Sequence, residues 1–489
     1  SLGLDIDANS TVTALSIGHI TPVSIASNMT LSGAITVSAG SLKINETGTL
    51  ASTIAMSGGT LDLDETSAVS GALTQSGDIA IDVASGKTLT YSGAAISVGA
   101  NTITLTGGGN LVSGGLTLND ANSKLLLNSI TLDSASTSAN SLGVDVDANS
   151  TVTSLSVGHI TPVSIAAGKR LSGAITVSAG SLKLNETGTL ASTIAMSGGI
   201  LDADESSTVS VALTQSADIA IDVATGKTLT YSGAAVNLGA KTLTLSGGGT
   251  LSNTNALVLN NADSLLSLDD SLTVGLASVT VGSNVGKGLA VNESSTISSL
   301  KVAANTELKV AQGKVLSGST EVAAGKTLKL NGTGTFGSAL NLLGTLEAGA
   351  NLTVSGLISV GGNSAVSIPA NTTLTYTGGD LNVGAYSLSI VGAGTFSNAA
   401  GSALVLDVAD SILDLSGTGT ISGPLKLESG TLKASAGTPT ISGALTQYDD
   451  ATIEVAANQT LNYTGASVNL GSNKLSLIGG GTFNNTNAL

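Results

Sequence analysis

The sequence predicts an all-β chain wound as a parallel β-solenoid (a β-helix), with about three short strands in each coil of 18–22 residues. Three observations carry this. An apolar residue preceded by a small polar one recurs at Val12, Leu31, Leu50, Val69, Leu89 and Leu111. It returns at Val152, Leu171, Leu190, Val209, Leu229 and Leu251, then at Ile297, Leu316, Phe336, Val354, Leu374 and Phe396, and last at Ile421, Ile441, Leu461 and Phe483. Steps of 18 to 22 residues within each run are the mark of a repeat architecture. Between these markers the apolar residues alternate with period two, the spacing of strands and not of helices. Finally, the residue before the marker is threonine in 18 of the 22 coils, which fixes one register throughout. The exceptions are Ala68, Asn110, Arg170 and Val315.

The segment Ser27–Leu50 shows how one coil is built. Leu31 is followed by Ser32-Gly33, then Ile35 and Val37 alternate with Thr36. After Ser38-Ala39-Gly40, Leu42 and Ile44 alternate with Lys43, and Asn45-Glu46-Thr47-Gly48 closes the coil. Gly, Ser and Asn bound every apolar group because they tolerate tight and left-handed turns. One such coil has almost nothing to bury its strands against. Stacked on copies of itself about 4.7–4.9 Å apart, it would form a continuous aliphatic column and pair every strand above and below. Leu31, Leu50, Leu89, Leu171, Leu190 and Leu229 are the expected core stack. The threonines then face outward, where a β-branched side chain suits a strand surface. Right-handed winding is the expectation for parallel connections.

A chain of 489 residues would ordinarily divide into domains, but a stacked core has no size ceiling, so 1–489 reads as one continuous solenoid. Its length, at roughly 4.8 Å per coil, would be on the order of 115 Å. A net charge of −16 with only 17 basic residues argues against nucleic acid, which demands a basic stripe. Mean hydropathy is +0.39, yet no apolar run approaches the length of a membrane span. With no cysteine there is neither a disulfide framework nor a thiolate metal site.

A longer repeat overlies the short one. SLGLDIDANSTVTALSIGHITPVSIA at Ser1–Ala26 returns as SLGVDVDANSTVTSLSVGHITPVSIA at Ser141–Ala166. The large copies are 1–140, 141–287, 288–405 and a shortened 406–489. Each carries one tyrosine two residues after a marker, at Tyr91, Tyr231, Tyr376 and Tyr463, always in a 22-residue coil. These read as fillers of a widened corner. Less regular stretches at 119–140, 260–287 and 397–415 keep apolar runs such as Leu125-Leu126-Leu127, and are expected to be distorted coils.

Candidate chemistry is sparse. His19 and His159 occupy equivalent GHITP turns without a counterpart in the third copy, which reads as exposed turn rather than catalysis. The sole arginine, Arg170, replaces Met29 and Val315 at one coil position. Asp5 and Asp7, Asp62 and Asp64, and Asp202 and Asp204 are spaced by two. On a strand that spacing puts both carboxylates on one face, so these pairs are weak calcium candidates. No catalytic residue and no cofactor are expected, and the chain reads as a non-enzyme. A polysaccharide-active enzyme would need carboxylates clustered with a basic residue and aromatics. An ice-binding threonine array is broken at Ala51, Ala68, Asn110, Arg170, Val315 and Gly337. Both are remote alternatives.

The ends complete the reading. Ser1-Leu2-Gly3 opens in mid-pattern, so a processed product or a piece of something longer is expected. From Phe483 to Leu489 of one copy and on to Val12 of the next would span close to a normal coil. Ser1, Leu2, Phe483 and Leu489 are therefore expected to join copies head-to-tail by strand addition. The segments punctuated by SGG, SAG and NxTGTL, as in SGGTLDLDETSAVSGALTQ at Ser57–Gln75, resemble the passenger regions of bacterial autotransporters and related filamentous surface adhesins. The resemblance implies an extracellular or cell-surface location and a structural or adhesive task. The family's membrane barrel and N-terminal secretion module have no counterpart in these residues, so the secretion route stays open. The expected function is a building block of a fibre, filament or extracellular matrix whose partner is itself, with a surface glycan or receptor as further candidates. The alternative is the stalk of a cell-surface adhesin.

Overall fold

A computed structural model describes residues 3–276, 278–399 and 401–487, apart from the side chains of Leu276 and Val285. Among the described residues there are no helices, and the strands stack in parallel as a β-solenoid of about 23 turns. Two compact units divide it, Ser1–Val236 with Gly249–Thr254, and Asn237–Gly248 with Asn255–Leu489. Assembly positions Ser1, Leu2 and Leu489 lie outside the described residues.

In the first unit a representative coil has three faces, formed by strands Thr49–Leu50, Thr53–Met56 and Thr60–Leu63. Leu50, Ile54, Met56, Leu61 and Leu63 point inward and are buried. Each stacks on its counterpart one coil back: Leu50 on Leu31, Ile54 on Ile35, Leu61 on Leu42 and Leu63 on Ile44. In the neighbouring coil the first two faces run on as one bent strand, Thr30–Val37, so that coil has two strands rather than three. All six leucines of the expected core stack are buried. The second unit repeats the scheme with strands such as Thr327–Asn331, Thr335–Phe336 and Ala339–Leu342.

Marker does not always stack on marker, and this corrects the register read from the sequence. Leu31 lies over Ser10, and Val12 over Gly33, because a bulge interrupts the ladder between Val12 and Leu15. The same slip places Leu171 over Ser150 in the first unit and Leu316 over Ser295 in the second. Glycine is required where it happens. Gly33 has φ +117°, and a Cβ there would stand 1.7 Å from the Val12 carbonyl oxygen. A second slip precedes each tyrosine: Leu89 lies over Ser67 and Tyr91 over Val69, and Leu352 lies under Leu374 with Val354 under Tyr376. Both slips are of two residues. A one-residue slip would have turned every core side chain to solvent.

The irregular stretches are coils. Within 119–140, Leu125 and Leu127 pair with Ile103 and Leu105 on one side and Val144 and Val146 on the other, leaving Leu126 outward. In the second unit Leu266 and Leu268 pair with Leu289 and Val291, and Leu404 and Leu406 with Leu425 and Leu427.

Replacing Leu50 by Ala should cost about 2–5 kcal/mol, and Leu50→Asp should abolish folding of its coils, because an unpaired charge would enter the column. Thr49→Ser, on the outer side of the same strand, should stay within about 0.5 kcal/mol. Urea unfolding of the three variants checks the contrast.

Candidate functional site

The third face of each unit carries the densest arrangement of charge, and its origin lies in strand alternation. Lys43 stands between inward Leu42 and Ile44, Asp62 between Leu61 and Leu63, and Asp82 between Ile81 and Val83. Parallel register sets Lys43 beside Asp62 and Asp62 beside Asp82. The Lys43 ammonium lies 3.5 Å from Asp62 and 2.8 Å from Asp64, so the proposed calcium pair brackets a lysine. The second large copy reproduces this with Lys183, 3.1 Å from Asp202 and 3.0 Å from Asp204, and Asp202 is in turn paired in register with Asp222. Asp5 and Asp7 are exposed, and Asp5 pairs in register with Ser24. Among the described residues no group of three or more His, Cys, Asp or Glu is placed to hold a metal ion.

In the second unit the column becomes Glu307–Lys329–Glu347, with the ammonium 3.6 Å from both carboxylates. Further along it is Asp414–Lys433–Glu454, with Lys433 3.0 Å from Glu454. A second set of ion pairs ties successive corners: Lys87–Glu65 at 2.6 Å and Lys227–Glu205 at 2.5 Å in the first unit, and Lys314–Glu293 at 2.5 Å in the second. Spacing along the chain alone does not mark these lysines as partners of the acids. The signal was present, since Lys43 and Asp62 share a position nineteen residues apart.

Burial pushes the carboxyls of Asp62 and Asp202 above their usual range, outweighing the lysines beside them. Lys43 and Lys183 are pushed up as well, first by their hydrogen bonds to Asp64 and Asp204. Elsewhere the balance reverses. In the second unit Asp380 accepts hydrogen bonds from the Lys426 ammonium (2.6 Å) and the Ala403 N–H (2.8 Å). These hold its carboxyl below the usual range, the lysine contributing most. The pair joins residues two coils apart, with the coil of Val405 between them. Val405, although on an outward position, is buried.

No family of known proteins, no curated protein and no solved structure matches this chain.

The remaining candidates also take structural positions. Tyr91, Tyr231, Tyr376 and Tyr463 are buried. The Tyr91 hydroxyl accepts from the Leu73 N–H (3.0 Å) and donates to the Ala94 carbonyl (2.8 Å), closing the corner of its own coil against the preceding one. Tyr231 does the same with Leu213 and Ala234, while Tyr376 and Tyr463 accept from Ile358 and Leu445. His19, His159 and Arg170 are exposed. Phe483 is half-buried and stacks on Leu461. On the second unit's third face an open groove of about 490 Å³ is lined by Glu307, Lys329 and Glu347 together with Asn284, Gly286 and Asn305. Among the described residues no helix is long and apolar enough to cross a membrane.

Tyr91→Phe strands the buried Leu73 N–H and should cost about 1–3 kcal/mol, whereas Tyr448→Phe, at a residue 59% exposed, should be silent in the same unfolding assay. Asp380→Asn should lower the melting temperature at pH 7. Because the folded pKa of Asp380 lies below its unfolded value, its contribution is present above that value and lost as the pH falls through the folded one. The gap between the variant and the parent should therefore narrow as the pH falls below the usual carboxylate range, where thermal melts would show the two converging.

Proposed function

We propose that this chain is a structural, non-enzymatic extracellular protein, a building block of a fibre, filament or matrix that associates with further copies of itself. What supports the reading is where the polar chemistry goes. Lysines bind carboxylates of the adjacent coil, buried tyrosine hydroxyls serve backbone groups, and corner side chains take the N–H of a neighbouring coil, as Asn9 does for Thr30 and Asn351 for Thr373. Reactive groups are thus used to hold coil on coil. A net charge of −16 keeps like-charged copies soluble before they associate. The stalk of a cell-surface adhesin, with its binding tip elsewhere, uses the same architecture.

Electron microscopy of the purified chain distinguishes the two. Regular filaments growing with protein concentration support the building block. Particles that stay single at every concentration, yet attach to cells or immobilised glycans, would replace it with the adhesin reading.

A further inference from the structure

In several coils the corner that leads from the third face into the marker strand is a four-residue turn with a left-handed third residue. In the first unit these turns are Ala26–Met29, Ala84–Lys87, Ala166–Lys169 and Ala224–Lys227, each closed by a hydrogen bond from the last N–H to the first carbonyl. In the second unit Ala311–Lys314, Pro369–Thr372 and Ala456–Gln459 close in the same way. Such a backbone favours glycine, and Gly86, Gly168, Gly226 and Gly313 adopt it with φ between +71° and +76°. A Cβ added to any of these glycines would meet nothing within 4 Å, so a side chain at this position projects into solvent.

In the remaining turns the position belongs to asparagine. Asn28 (φ 67°), Asn371 (φ 62°) and Asn458 (φ 63°) are all exposed. Together with Ser129 they are the non-glycine residues of positive φ among the described residues. Closing the turn does not require the amide, since glycine closes it in the other coils. The marker threonine follows two residues later, at Thr30, Thr373 and Thr460, so each turn reads Asn-x-Thr around Met29, Thr372 or Gln459. That sequence, with no proline in the middle, is the acceptor for an N-linked glycan.

Other Asn-x-Ser/Thr sequences in the chain are placed differently. The side-chain oxygens of Asn9 and Asn351 accept the N–H of Thr30 (3.0 Å) and Thr373 (2.7 Å). The Nδ2 of Asn292, the atom a glycan would occupy, donates to Asp269 at 2.7 Å. Asn45 and Asn185 have buried side-chain oxygens. We propose that Asn28, Asn371 and Asn458 are attachment sites for N-linked glycans, transferred from a lipid-linked oligosaccharyl diphosphate. In that transfer Nδ2 bonds to the anomeric carbon of the donor sugar and the bond from that carbon to the diphosphate oxygen breaks. The lipid diphosphate departs and the amide gives up one proton, with no change of oxidation state. The strand beneath stays paired, because Thr30 and Leu31 keep their ladder to Thr49 and Leu50. Such transfer acts on exported chains, so the proposal rests on the extracellular reading.

The full-length chain, and a variant carrying Asn28→Gly, Asn371→Gly and Asn458→Gly together, would be expressed behind a secretion leader in a host that carries the transferase. Mass spectrometry of the secreted proteins then gives the occupancy of each asparagine. In the parent, occupancy at Asn28, Asn371 and Asn458 should exceed that at Asn9, Asn45, Asn185, Asn292 and Asn351 several-fold. The variant, whose glycines fit the turn, should be secreted equally well and lose most of the attached glycan mass. Secreted parent unmodified at all three turns, or modified there no more than at the comparison positions, would overturn the assignment. Because the leader supplies export, that failure would leave the extracellular reading standing. Fractionation of cells that make the chain naturally tests the location separately, and a purely cytoplasmic chain would remove the premise instead.

Discussion

Everything in this fold depends on lateral contact between one coil and the next. A strand of two to four residues has no stability of its own, and its side chains cover too little area to fold in isolation. Setting Leu50 between Leu31 and Val69 supplies both missing terms, a backbone ladder and an aliphatic neighbour on each side. Stability in such an array is close to a sum over adjacent coils. This explains why so many side-chain bonds join residues about twenty apart in the sequence and so few join distant ones.

The same constraint governs what the array tolerates. Coil length varies from 18 to 22 residues, and the variation is absorbed by register slips of two that keep inward residues inward. Where the slip comes through a bulge, glycine must accommodate the close backbone approach, as Gly33 and Gly173 do. Where it comes through a widened corner, a tyrosine fills the added space and its hydroxyl satisfies the backbone that the corner leaves unpaired. In the first unit a serine then lies under the marker, as Ser67 does beneath Leu89 with its hydroxyl turned to the Glu46 carbonyl. Composition that looks monotonous is in this sense position-specific.

Much of this was legible in the sequence, because a core built from a repeated position announces itself as a repeat. The burial of Leu31, Leu50 and Leu190, and the coil nature of 119–140, followed from alternation and spacing. The slips did not. Aligning markers assumes that the most similar residues stack, whereas the backbone stacks whatever the bulge between Val12 and Leu15 permits. Charge was read poorly for a related reason. Asp62 and Asp64 draw the eye as a pair along the chain, but the residue that determines their character, Lys43, is a neighbour only across it.

The Asp380–Lys426 pair stands apart from the other ties, since it reaches past one whole coil to the next but one. Under a pulling force, an array joined only between nearest neighbours sheds its coils singly, in small steps. Here one partly exposed ion pair ties the outer two of the strands Leu381–Asn382, Leu404–Leu406 and Leu425–Leu427 to each other across the middle one. At roughly 0–1 kcal/mol for a pair this exposed, the tie couples the release of these coils by a small amount and no more.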